Sequence, residues 1–169
     1  TATSAVEVYD RVGSHFTLSG ALSEARAGAL AQPLGGGRVR LVGGVTRVMT
    51  AASNQPNFTA EQGPAAGIEV YDTLAGESST TSGVSFPPMA SVVGLEDGRA
   101  LVIGGVDPSG ADGYSQYGWV VPAGEPEDAA IEAGQLMLGS ERYGATVMAV
   151  GAEALVWGGG VTDPSAARA

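Results

Sequence analysis

Few residues in this chain could do chemistry. His15 is the single histidine, with Ser14 beside it and Asp10 five positions earlier. A Ser/His/Asp nucleophile needs the three groups to converge in space beside an oxyanion hole. Here they crowd the approach to a strand, so a solvated or locally bonded histidine is expected. No Gly-x-Ser-x-Gly elbow, phosphate-binding loop or dinucleotide fingerprint occurs. The absence of cysteine removes thiolate nucleophiles, thiolate metal sites and any disulfide framework. Asp107-Pro108-Ser109-Gly110-Ala111-Asp112-Gly113 gathers oxygen ligands in a glycine-containing loop, as calcium would require. Ser109 and Ala111 fill two of the ligand positions poorly, and Asp-Pro-Ser recurs at Asp163-Pro164-Ser165, so turn chemistry is preferred. No metal and no cofactor is expected, and a non-catalytic protein is preferred over an enzyme.

Charge and composition narrow the partners. The net charge is −10, and all eight basic residues are arginine. No basic stripe can form to displace counterions from nucleic acid, and anionic membrane surfaces are disfavoured on the same ground. No apolar run approaches the roughly 18 residues that span a bilayer. A hydrophobic share of 44% over 169 residues fits one packed domain. The 27 glycines, without a triplet period, fit many short strands joined by turns. Arginine without lysine suggests a GC-rich bacterial source, which makes Asn57-Phe58-Thr59 a chance glycosylation match. An extracellular or periplasmic location is preferred over a cytoplasmic one. Starting at Thr1, the chain reads as processed or as part of a larger polypeptide.

The elements that must position any site are repeated. Val6-Glu7-Val8-Tyr9-Asp10 returns as Ile68-Glu69-Val70-Tyr71-Asp72, and Gly37-Arg38-Val39-Arg40-Leu41-Val42-Gly43-Gly44 as Gly98-Arg99-Ala100-Leu101-Val102-Ile103-Gly104-Gly105. A third copy runs from Gly118-Trp119-Val120-Val121 to Leu155-Val156-Trp157-Gly158-Gly159. Tyr9 to Tyr71 is 62 residues, Gly43 to Gly104 is 61, and Gly104 to Gly158 is 54. A period of that size carrying only strands marks propeller blades or a similar array. Alternation puts Val6 and Val8 on one face and Glu7 and Tyr9 on the other. The tyrosines therefore require a sheet covered on both faces, or a bulge. Turns are expected at Gly36-Gly37 and Asp97-Gly98, where glycine supplies positive φ, and each Gly-Gly should permit a close backbone approach. Further strands are expected at Phe16–Leu22 and Gln135–Leu138, and a loop followed by an outer strand over 125–133.

These motifs resemble kelch repeats: hydrophobic-Glu-Val-Tyr-Asp joined to Gly-Arg, four mostly apolar residues and Gly-Gly. The resemblance covers nearly the whole chain. It implies an all-β fold of kelch-like β-propeller blades, about three blades' worth. Residues 5–22 would be a half blade, 23–86 and 87–138 full blades, and 139–161 a half blade. Such a chain would be a fragment of a larger ring, part of an assembly with another chain, or half of a six-bladed dimer; the first two are preferred. The tryptophan that the family carries after Tyr-Asp is replaced by Phe16 in one copy and Ser78 in the next. Arg26 and Arg142, beside Glu24 and Glu141, are expected to fix the start of an inner strand by an ion pair or carbonyl contact. Copper-radical oxidases of the family would need cysteine and more than one histidine, so this chain alone cannot hold that site.

In kelch-like blades the connections after Gly-Gly share one face with those joining successive blades. Thr46–Gly67 and Asp107–Tyr117 are the connections of interest here. A rigid scaffold with one variable loop face is a common way to build a binding surface. Arg47, Asn54, Gln55, Asn57, Phe58, Tyr114 and Tyr117 are the candidate binding residues, a polar set around aromatic anchors. The expected function is a protein-interaction or structural scaffold, with a protein partner or further blades from the same or another chain. The alternative is an extracellular carbohydrate-binding or sugar-modifying propeller using Trp119 and Trp157 as platforms.

Overall fold

The computed structural model describes residues 2–46, 65, 67–106, 115–125, 132–139 and 141–160. Among these residues there are twelve strands and no helix, so the chain is all-β as expected. The strands are β1 (Thr3–Asp10), β2 (His15–Arg26), β3 (Leu30–Gly35), β4 (Arg38–Val42), β5 (Ile68–Asp72), β6 (Glu77–Ser82), β7 (Ser91–Gly94), β8 (Ala100–Ile103), β9 (Tyr117–Val121), β10 (Glu132–Met137), β11 (Thr146–Val150) and β12 (Glu153–Trp157). They form four small antiparallel sheets in chain order: β1-β2, β3-β4-β5-β6, β7-β8-β9-β10 and β11-β12.

Tight turns set these registers. Gly36 and Gly37 have φ of 63° and 81° and carry the chain from β3 to β4. Between β7 and β8, Gly98 has φ 85°, its N–H donates to the Leu95 carbonyl, and the Leu95 N–H donates to the Arg99 carbonyl. Only residues that tolerate positive φ can close such turns without strain.

The core lies between the two four-stranded sheets. Val42 and Ile68 come from one sheet and Ala100, Val102 and Val121 from the other, with Phe86 from the connection between them. Trp119 packs edge-on against Phe86, with ring centroids 6.0 Å apart. Each large side chain among them contributes about 1.5–3 kcal/mol by leaving water.

β5 is buried on both faces, which resolves the alternation at Tyr71. Ile68 joins the core, while Glu69 and Tyr71 are covered by β2 of the preceding sheet. A register shift between Ile68 and Glu69 adds a bulge. Tyr71 donates its hydroxyl to Ser19 at 2.8 Å, and a Cβ at Gly20 would collide with the Gly76 carbonyl, so only glycine lets β2 lie this close.

The strand boundaries around Arg26 differ from expectation. β2 runs from His15 through Arg26 rather than ending at Leu22, and the next strand starts at Leu30. Arg26 therefore closes a strand instead of opening one. The cause is the partner strand, which carries pairing on to Thr3 opposite Arg26 through a second irregularity.

Candidate functional site

Each Gly-Gly leaves its strand in a conformation that other residues rarely adopt. Gly43 and Gly44 have φ of 72° and 95°, Gly104 and Gly105 of 66° and 106°, and Gly158 and Gly159 of 68° and 86°. At Gly105 a Cβ would meet Pro87 Cβ at 2.7 Å and the Pro88 carbonyl at 2.8 Å; at Gly159 it would meet the Tyr143 carbonyl at 2.7 Å. Positive φ and close approach thus coincide, and glycine satisfies both.

The close neighbours are the segments joining one sheet to the next. Ala27 and Val45 exchange backbone hydrogen bonds at 2.9 Å, the Val106 N–H donates to the Pro88 carbonyl at 2.8 Å, and Tyr143 bridges to Gly160. The connections β4→β5 and β8→β9 therefore leave the sheets on the face that carries the sheet-to-sheet segments. They also return there. The Ala65 N–H donates to the Gly44 carbonyl at 3.1 Å, and the Ser115 N–H to the Gly105 carbonyl at 2.9 Å. Ala65 and Ser115 are buried, so both connections are anchored at start and finish by the same dipeptide.

On this face a shallow cleft of about 330 Å³ opens between Gly28, Gly44, Val45, Met89, Ala90 and Gly144. Met89 holds φ 59°, a strained value for a side-chain-bearing residue, and its carbonyl accepts from the Gly144 N–H at 3.0 Å. No titratable side chain lines the cleft among the described residues. Its lining is backbone, small apolar groups, Met89 and the Ser91 hydroxyl, a surface suited to contact.

The opposite face holds the hairpin turns and a polar fastening. Arg40, fully buried on β4, donates to the Gly98, Pro122 and Gly124 carbonyls of the next sheet and to Gln32. Gln32 in turn donates to the Gly98 carbonyl at 3.1 Å. Burial pulls the Arg40 guanidinium below its ordinary pKa, yet it stays charged at physiological pH. Asp72 is held below the usual carboxylate range by the Ala75 and Leu74 backbone N–H groups. Asp97 is lowered in the same way by the N–H of Arg99 and then by its side chain.

Arg26, for which an ion pair or a carbonyl contact was expected, makes both. It donates to the Gly43 carbonyl at 3.1 Å and pairs with Glu69. Glu69 also accepts from the Ser23 N–H at 2.6 Å and the Ser78 hydroxyl at 3.0 Å. The pair is almost fully buried and ties the first sheet to the second. In the third sheet the corresponding position is apolar. Trp119 faces Val102 as Glu69 faces Leu41, and Pro87 precedes the contact to Val106 as Arg26 precedes that to Val45.

Of the candidate binding residues, Arg47, Asn54, Gln55, Asn57, Phe58 and Tyr114 lie outside the described residues, as do the Asp107–Gly113 and Asp163–Ser165 segments. Tyr117 is corrected from a loop residue to the first residue of β9, where its carbonyl accepts the Gly104 N–H. Trp119 is partly exposed and packs edge-on against Phe86; Trp157 is 47% exposed on β12. His15 opens β2 on the exposed hairpin opposite Asp10. Arg40, Glu69 and Met89 escaped the sequence reading. A charged residue inside Val39-Arg40-Leu41 or Ile68-Glu69-Val70 was the available signal for the first two; nothing marked Met89. No protein-family model matches the chain, and a search of curated proteins returns no match.

Proposed function

We propose that the chain is a non-catalytic interaction scaffold of kelch-like propeller blades, binding a protein partner through the face that carries the long connections. The observation that carries this reading is the double anchoring of those connections. Ala65 and Ser115 return the chain to the Gly-Gly that released it, and both do so on one face. Fixed loop ends reduce the ordering entropy lost on binding. The succession of two, four, four and two antiparallel strands, with hairpins in matching register, supports the blade reading. The segments between the anchors supply Phe58 and Tyr114 as aromatic contacts.

The test is affinity capture followed by titration of the captured partner against Phe58→Ala/Tyr114→Ala. The double variant is expected to weaken binding at least about tenfold with an unchanged melting temperature. A partner bound equally well by the variant places recognition elsewhere. Binding to an immobilised glycan array, with no protein captured, would favour the carbohydrate alternative.

A further inference from the structure

Three turns lead into the first strands of their sheets, and they are equivalent. The Val45 N–H donates to the Ala27 carbonyl at 2.9 Å, the Val106 N–H to the Pro88 carbonyl at 2.8 Å and the Gly160 N–H to the Tyr143 carbonyl at 2.9 Å. In each turn the residue after that carbonyl has positive φ: 72° at Gly28, 59° at Met89 and 59° at Gly144. An alanine then follows in all three, at Ala29, Ala90 and Ala145. At Gly28 and Gly144 a Cβ would have nothing within 4 Å, so the space above both turns is open. Met89 alone of the three carries a side chain there, and all three residues line the cleft of about 330 Å³.

The fold does not call for that side chain. The Ala90 N–H donates to the Pro87 carbonyl at 3.1 Å, closing a turn with Pro88 and Met89 at its corners. Where φ is positive at the second corner, glycine or asparagine is the usual residue. A long side chain at such a φ strains the backbone. Met89 is 41% exposed and stands outside the cluster built around Val42, Phe86 and Val102, so core packing does not offset that strain. Strain of this kind, kept at the mouth of a cleft, points to binding.

The cleft wall selects what would meet Met89. Many of its hydrogen-bonding groups are already taken. Ala27 and Val45 bond to each other, the Gly144 N–H goes to the Met89 carbonyl, and the Ser91 hydroxyl to the Ala145 carbonyl. A sugar or an anion entering here would leave polar atoms without partners, whereas an apolar side chain has none to satisfy. The volume lies at the small end of the roughly 300–1,000 Å³ of ligand clefts, which suits a side chain of a larger partner. A thioether flanked by two bare glycines can be approached from the side, and sulfur packs favourably at the edge of an aromatic ring. At longer range, the net charge of −10 draws in a basic carrier.

We propose that Met89 is the anchor of this face: an aromatic side chain from a basic segment of a protein partner packs in the cleft against its thioether. This assignment rests on the proposed binding face and adds to it the anchoring residue and the chemistry of the occupant.

Short random peptides displayed on phage can be selected on the 169-residue chain, with Met89→Gly as the counter-target. The selection should enrich Phe, Tyr or Trp beside Arg or Lys. The strongest peptide, made synthetically, should bind Met89→Gly and Met89→Asn at least about tenfold more weakly than the parent. Neither variant should lower the melting temperature by more than about 2 °C, because glycine and asparagine both tolerate positive φ. The chain has four methionines, so labelled ε-methyl groups give few signals, and the one missing from Met89→Asn identifies Met89. That signal should move upfield with the peptide and stay in place when alanine replaces the peptide's aromatic residue. Peptides that bind parent and both variants equally, a consensus without aromatic or basic residues, or a Met89 methyl unmoved by a bound peptide each overturn the proposal. A melting temperature lowered by more than about 5 °C in both variants would return Met89 to a packing role and overturn it too. A captured partner weakened by Phe58→Ala/Tyr114→Ala but not by Met89→Asn overturns this inference and leaves the proposed function standing; one weakened by neither overturns both.

Discussion

At the scale of the residue, the buried Arg26–Glu69 pair is the most consequential contact. Removing water from two charges is expensive, and here it is offset by mutual attraction together with the Gly43 carbonyl, the Ser23 N–H and the Ser78 hydroxyl. Truncating one partner leaves the other charge buried and uncompensated. Glu69→Ala is therefore expected to destabilise the fold by about 3–5 kcal/mol. In chemical denaturation the midpoint should fall sharply, while exposed Glu96→Ala stays within about 0.5 kcal/mol of the parent. Equal midpoints for the two variants would remove the pair from the account of stability. The sequence placed Arg26 in an ion pair or carbonyl contact without fixing which carboxylate it meets. Adjacency favours Glu24, and only the approach of β2 to β5 brings in a residue 43 positions away.

Elements were the most legible scale. Alternating valines, turn glycines and the repeated Gly-Gly marked hairpins that the structure contains. Boundaries were less so, because β2 is extended by its pairing with β1 and not by its own pattern. Candidate binding residues were readable as composition only, since six of the seven fall outside the described residues. The glycines admit a graded test. Gly28 has φ 72° with nothing within 4 Å of the point where a Cβ would stand, so alanine there costs only the backbone strain, about 1–2 kcal/mol. At Gly105 the φ of 106° is joined by contacts at 2.7 and 2.8 Å. Gly105→Ala should thus lose at least about 2 kcal/mol more than Gly28→Ala, read as the difference between their unfolding midpoints. Parity between the two would mean the third sheet can shift away from the segment it touches.

For the molecule as a whole, unlike fastenings hold the sheets together. The first and second sheets meet at the Arg26–Glu69 pair, with serines around it. The second and third meet through Val42, Phe86, Val102 and Trp119, with Arg40 fastening their turn ends. These junctions answer temperature unequally. Both gain on warming, but apolar contact levels off while the penalty for drying an ion pair keeps shrinking. Hydrogen exchange should therefore rank the strands differently near room temperature and just below the melting range. Protection in β2 is expected to rise relative to β7 and β8 on warming, and a ranking that ignores temperature would refute this. Two neighbouring seams of one repeated plan thus carry unequal thermal coefficients, so the place where the chain first comes apart depends on the climate in which it works.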